Sequence, residues 1–357
     1  MVVDKFPDTE PGLVALFGSG ETSPSGRKIF DHIFRDLPAS PRVSLLETPS
    51  GFELNSDQVV GRIAEFFNHR LQNYEPQTTV IPARKRGTPF SPDEPKILAP
   101  LLEADLIFMG PGSPSYAIRQ LCDSLAWHYL IARHRLGVTL AFASAAVIAI
   151  GSQSLPVYEI YKAGNDLHWL SGLDLFGPFG LDLTFLPHWN NTDGGAELDT
   201  SRCFMGQNRF SQLMEMLPTD QIVIGIDEHT ALLMDCSGMC CQVFGRGSVT
   251  LIRDGQEDVI NSGESFDLGE LGRCAKPGNL EGLPSEVWEI ALNVQSGQEK
   301  EPQLDQPSST VRTLVEQRQS ARARKDWPAA DILRHKIQAL GWEVKDTPDG
   351  PELVKLN

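Results

Sequence analysis

Positive charge is scarce in this chain: 31 Lys and Arg stand against 47 Asp and Glu, a formal net charge of −16. That balance argues against a nucleic-acid groove across the main body, which would repel phosphates. Long hydrophobic runs are missing too. The longest uncharged apolar stretch, residues 138–150, is too short to span a bilayer and carries a serine, so no membrane association is expected. The amino terminus, MVVDKFPDTEPG, lacks the basic start and apolar core of a secretory signal. Six cysteines in 357 residues do not make a disulfide scaffold, and the chain reads as cytoplasmic. Cys236, Cys240 and Cys241 come without a C-x-x-C pair or a nearby histidine pair. They read as strand cysteines and not as a zinc site. Gly18-Ser19-Gly20 is followed by no Walker lysine, so a tight turn explains it better than a phosphate cradle. No cofactor or metal is expected.

What is present is a repeating unit. Hydrophobic residues make up 41% of the chain, enough for one large α/β domain with a small appendage. Short apolar segments at 13–17, 42–47, 78–83 and 105–109 each lead through a turn rich in Gly, Ser or Pro into an amphipathic helical stretch. Such alternation predicts a mostly parallel sheet with helices on both faces, and ligand-binding loops at the carboxyl ends of its strands. Ser91-Pro92 fits a helix start, and residues 116–134 read as one helix. Gly110-Pro111-Gly112-Ser113-Pro114 lets the backbone approach a ligand closely. Proline at 111 has no N–H, so a donor from this loop falls to Gly112.

The stretch 137–154 organises the rest. An apolar strand breaks at Ser144, small residues follow, and a helix-compatible segment runs to Ile150. A serine at a sharp strand-to-helix turn has an exposed Oγ, and the N–H of Ala145 lies beside it as an oxyanion donor. The same junction also suits a serine that merely caps a helix. A strict G-x-S-x-G elbow would place glycine where Phe142 and Ala146 stand. Further on, the strand 182–186 delivers Pro187-His188-Trp189-Asn190, which is how a base is commonly presented. The buried strand read at 222–228 ends in two carboxylates, Asp227 and Glu228, whose side chains should point opposite ways. Residues 230–255 read as hairpins with turns at Ser237-Gly238 and 245–247.

With these residues laid out, residues 10–255 resemble the dipeptidase E and cyanophycinase family of serine peptidases, on a class I glutamine-amidotransferase-like fold. Phe108-Met109-Gly110-Pro111-Gly112-Ser113 is similar to the family's F-x-G-G loop, and Ala143-Ser144-Ala145-Ala146 to its S-A-G-A. Pro187-His188-Trp189 is similar to P-H-F, and Gly225-Ile226-Asp227-Glu228-His229-Thr230-Ala231 to G-I-D-E-x-T-A. The resemblance implies a serine peptidase or amidase acting on a small peptide or amide: Ser144 as nucleophile, His188 as base, Glu228 as orienting acid, with Gly112 and Ala145 as oxyanion donors. Glu159 and Asp227 are the rival acids. Asn190 and Arg202, with Arg209, are the expected substrate-binding residues. Serine at 144, where amidotransferases of this fold have cysteine, argues against glutamine amidotransfer.

The expected domains are 1–293, a polar linker at 294–309, and a small, mainly helical unit at 310–357. That last unit resembles the C-terminal segment of cysteinyl-tRNA synthetase through Arg318, Ala321-Arg322, Lys325-Asp326-Trp327, Ala330-Asp331, Arg334, Leu340-Gly341 and Asp346-Thr347-Pro348-Asp349-Gly350. Residues 312–345 hold eight Arg and Lys against four Asp and Glu. Contact with RNA and docking on the acidic body both fit. Two functions stay open at this point: a serine hydrolase, or a relative without turnover that serves as a binding or regulatory module.

Overall fold

The computed structural model describes residues 9–297, 309–347 and 350–355. Residues 1–8, most of the expected linker, and Pro348 and Asp349 of the tail motif lie outside the described residues. By its contacts the chain divides into two compact units, 1–298 and 299–357.

In the first unit, β1 (Val14–Phe17), β2 (Arg42–Leu46), β3 (Gln77–Ile81), β4 (Leu106–Met109) and β5 (Thr139–Ala143) form a parallel block in the order β1-β5-β4-β2-β3. Apolar residues here run without alternation because both faces are covered. Val14 and Leu16 of β1, with Leu140 and Phe142 of β5, belong to one core. Ala15 and Phe17, with Ala141 and Ala143, belong to the other. Helices α1 (Pro24–Phe34) and α2 (Ser56–Arg70) bury Phe30, Phe34, Phe66 and Phe67 on the second face. On the first face lie α3 (Pro95–Glu103), α4 (Pro114–Leu121) and α5 (Leu125–Arg135).

Two helix expectations change. Ser91 does not cap α3; its Oγ accepts the Asp93 N–H at 3.1 Å in a local turn. The helix begins at Pro95, with Glu94 as its cap. Residues 116–134 are two helices, because Asp123 takes a φ of +56°. Ser124 then caps α5 by accepting the Trp127 N–H at 3.1 Å.

Beyond β5 comes α6 (Ala145–Ala149), a two-residue ladder of β6 (Gln153–Ser154) with β7 (Leu170–Ser171), and α7 (Val157–Tyr161) between them. Next are β8 (Leu183–Leu186), α8 (Gly206–Met214) and β9 (Ile222–Ile226). The chain returns to the main sheet as β10 (Thr230–Asp235), antiparallel to β1, and hairpins into β11 (Cys240–Gly245). The turn at 245–247 is not a hairpin within that sheet. It hands the chain to a second sheet, where β12 (Ser248–Arg253) pairs with β9 and with β13 (Gln256–Asn261), in the order β13-β12-β9-β8. β14 (Ser265–Asp267) then pairs with β11. α9 (Ser285–Gln295) ends two residues past the expected boundary at 293. The fold is therefore α/β, with a mostly parallel central sheet flanked by helices.

The second unit holds α10 (Ser309–Ala323), α11 (Trp327–Ala339) and an antiparallel pair, β15 (Trp342–Thr347) with β16 (Gly350–Lys355). Its own core gathers Val311, Val315, Ile337, Trp342 and Val344. Arg318 is 4% exposed and grips Asp346 with two bonds of 2.9 Å, while Arg322 adds a third at 2.7 Å. Much of the tail pattern is thus architecture. Ala321 and Ala330 are buried, the Asp326 carboxylate caps α11, and Gly341 supplies a φ of +82° after it. No helix among the described residues is long and apolar enough to cross a membrane.

Candidate active site

Ser144 leaves β5 with φ +53° and ψ −116°, a conformation that costs a non-glycine residue energy. Its side chain makes no capping bond to α6. Oγ instead lies 3.0 Å from Nε2 of His188. The elbow forms although Phe142 and Ala146 flank it, because both are wholly buried in the sheet's first core. Phe142 stands opposite Leu16 and Met109 on the neighbouring strands.

His188 follows β8 and is also held at positive φ, +53°. Its N–H donates to the Gly18 carbonyl at 3.1 Å, and the next N–H, of Trp189, donates to Ile226 at 3.1 Å. Trp189 is 3% exposed and packs where any Cβ on Gly225 would fall 2.3 Å from the indole. The loop is therefore tied to β1 and β9. Nδ1 of His188 lies 3.0 Å from Oε1 of Glu228. An ionised carboxylate only accepts, so Nδ1 carries the proton and Nε2 is left to accept from Ser144. The hydrogen bond from His188, helped by the Asn191 amide at 3.0 Å, holds the Glu228 carboxyl below its usual range. Glu228 stays charged.

β9 ends at Ile226, so Asp227 and Glu228 occupy the turn before β10. Their side chains part there. Asp227 is 8% exposed and accepts from the Ser248 N–H at 2.8 Å and its hydroxyl at 2.9 Å. Glu159, on α7, accepts from Ser115 on α4, whose Oγ in turn lies 3.0 Å from Ser113 Oγ. Of the three acids, Glu228 is the one hydrogen-bonded to His188.

β4 pairs with β5 so that Met109 faces Phe142, and the loops carrying Gly112 and Ser144 leave the sheet side by side. Gly112 has φ +147°, and a Cβ there would lie 2.0 Å from the Pro49 carbonyl oxygen. Only glycine fits. The Ser113 N–H donates to that same oxygen at 2.9 Å. Among the described residues the N–H groups of Gly112 and Ala145 donate to no partner.

The expected substrate residues have other engagements. Asn190 Oδ1 accepts the Glu228 N–H at 2.8 Å. The Arg202 guanidinium lies 3.9 Å over the Trp189 ring and 3.6 Å from Glu257. Arg209 donates to the Met205 carbonyl at 2.9 Å. One residue went unassigned at the level of sequence: Asn191, whose amide bonds Glu228. The polar pair after Trp189 was the available signal for it. Cys236 lies in the turn after β10 and not on a strand; burial raises its thiol to about 12, and raises that of Cys241 on β11 as well. Among the described residues no group of three or more His, Cys, Asp or Glu is arranged to hold a metal ion.

No family model matches the chain. Its first unit has the fold of a solved peptidase from an acI-B1 Actinobacterium, at a TM-score of 0.59 and 21% identity over 73% of this chain and 99% of that one. Its C-terminal stretch is similar to cysteine–tRNA ligases. The match is 49% identical over 49 residues for Methanosarcina mazei and 53% over 47 residues for Bacteroides fragilis. These matches cover 14% and 13% of this chain, and only 10% and 9% of the ligases' own length.

Proposed function

We propose that the first unit is a serine hydrolase that cuts a small peptide or amide. The observation that carries this reading is the hydrogen-bonded series Ser144–His188–Glu228, 3.0 Å at each step, with the serine on a strained elbow. Ser144 attacks the carbonyl as His188 takes its proton, and ionised Glu228 holds the imidazole in the right tautomer and stabilises the imidazolium. The unengaged N–H groups of Gly112 and Ala145 receive the oxyanion; each such donor lowers the barrier by about 3 kcal/mol in comparable sites. Likeness of fold to a solved peptidase agrees with this reading. Labelling by a fluorophosphonate tests it. Wild type should label and Ser144→Ala should not; labelling that survives the substitution removes Ser144 as nucleophile.

For the second unit, the cysteine–tRNA ligase matches support contact with tRNA through the basic helices. Were the first unit unreactive, the whole chain would read as a binding module near translation.

A further inference from the structure

Between the His188 loop and α8 the backbone is strained. Arg202, Cys203 and Phe204 stand in succession at φ +56°, +59° and +66°, left-handed values that cost each non-glycine residue energy. Two bonds to the His188 loop hold this turn. The Arg202 N–H donates to the Trp189 carbonyl at 2.8 Å, and the Cys203 N–H donates to the His188 carbonyl at 3.3 Å. Phe204 is thereby laid against the imidazole. Its ring centroid is 5.4 Å from that of His188 and 5.6 Å from that of Tyr161 on α7, both distances of rings in contact. Phe204 and Tyr161 are half-buried, packed from behind by the cluster that holds Leu186, Trp189 and Phe210.

α7 also touches the other side of the site. Glu159, two residues before Tyr161, accepts from Ser115, whose Oγ lies 3.0 Å from that of Ser113, directly after Gly112. The helix therefore reaches from the Gly112 loop to the histidine, and Tyr161 with Phe204 makes an apolar wall at the histidine end. In acyl transfer the base that takes the serine's proton hands it to the departing amine. That amine must come within hydrogen-bond reach of Nε2 of His188, so the residues that flank the imidazole flank the leaving group. We infer, on the basis of the hydrolase reading above, that Phe204 and Tyr161 form the leaving-group subsite, which selects amines bearing an aromatic or large aliphatic side chain.

The test uses the full chain and two phosphonates that share one phosphonyl group, one expelling fluoride and the other 4-nitrophenolate. In each, the Ser144 oxygen bonds to phosphorus as the leaving group's bond breaks, and the serine proton passes to His188. The ratio of the two labelling rates, nitrophenyl over fluoride, is divided by the ratio for hydroxide acting on the same probes. What remains is the protein's preference for the aryl group. It should be about tenfold or more in wild type. Phe204→Ala should bring it close to one, and Phe204→Tyr should keep most of it. Tyr161→Ala should lower it about threefold. A side chain that only props the imidazole would slow both probes alike and leave the preference unchanged. No preference in wild type, or one that survives undiminished in either alanine variant, overturns the assignment. The first of these outcomes, in a protein whose Ser144 takes the fluoride probe, overturns it alone. Failure of the fluoride probe to label wild type removes the hydrolase reading and this one with it.

Discussion

Glu228 and Glu159 look alike in the sequence, a glutamate some distance downstream of the serine, and the structure gives them different partners, His188 and Ser115. A triad histidine that loses its orienting carboxylate takes the wrong tautomer, which costs about 10⁴-fold in turnover where it has been measured. Glu228→Gln should therefore slow reaction at Ser144 by about 10²–10⁴-fold. Glu159→Gln, which touches only the bond to Ser115, should slow it less than about tenfold. Second-order labelling rates for the two variants check this, and the reverse order would transfer the orienting role to Glu159. Ser144, His188 and Glu228 were legible because each follows a predictable apolar strand, and strand ends place side chains. Asn191 was not, because it lies in a loop whose path is set by contacts remote in sequence, such as Trp189 against Gly225.

At the scale of elements, the parallel block was readable because strands buried on both faces give unbroken apolar runs. Helix limits were less so. A left-handed residue at Asp123 splits what periodicity joins, and a serine–proline pair at 91–92 makes a turn and no helix. The elbow's neighbour is under a tighter constraint. Gly112→Ala has to displace Pro49 or abandon φ +147°, and should cost about 2 kcal/mol or more in denaturant unfolding together with loss of labelling. A substitution that left both unchanged would show that this loop is freer than its geometry states.

The junction of α5 with β1 should give the fold a pH dependence. His134 is 1% exposed, its Nε2 donates to the Gly12 carbonyl at 2.9 Å, and burial lowers its pKa from 6.5 to about 4. The folded state thus keeps His134 neutral while the unfolded chain protonates it. Its contribution is full above pH 6.5 and is lost as pH falls towards 4, about 3 kcal/mol in all. His134→Gln keeps a donor and removes the titration. The difference in unfolding free energy between pH 7 and pH 4.5 should shrink by about 2–3 kcal/mol in that variant; an unchanged difference assigns the acid sensitivity elsewhere.

For the whole molecule, the sequence reading of the tail as a basic hairpin counted charges without knowing which were spent. Arg318 and Arg322 are committed to Asp346, so less positive charge faces a phosphate than composition suggests. Asp346→Ala should loosen the second unit by about 2 kcal/mol, allowing for the half-exposed carboxylate, without altering labelling of Ser144. Any tRNA affinity of the full chain should fall steeply between 50 and 200 mM salt. Retention no more salt-sensitive than that of an unrelated helix of equal charge would leave docking or self-association as the tail's role.

The central claim is that Ser144 is made nucleophilic by His188 and Glu228, and mass mapping after reaction with a fluorophosphonate tests it most directly. The account predicts one adduct per chain, in the peptide that contains Ser144, lost in Ser144→Ala and formed far more slowly in Glu228→Gln. An adduct on another residue, or a wild-type protein that takes none, would contradict it.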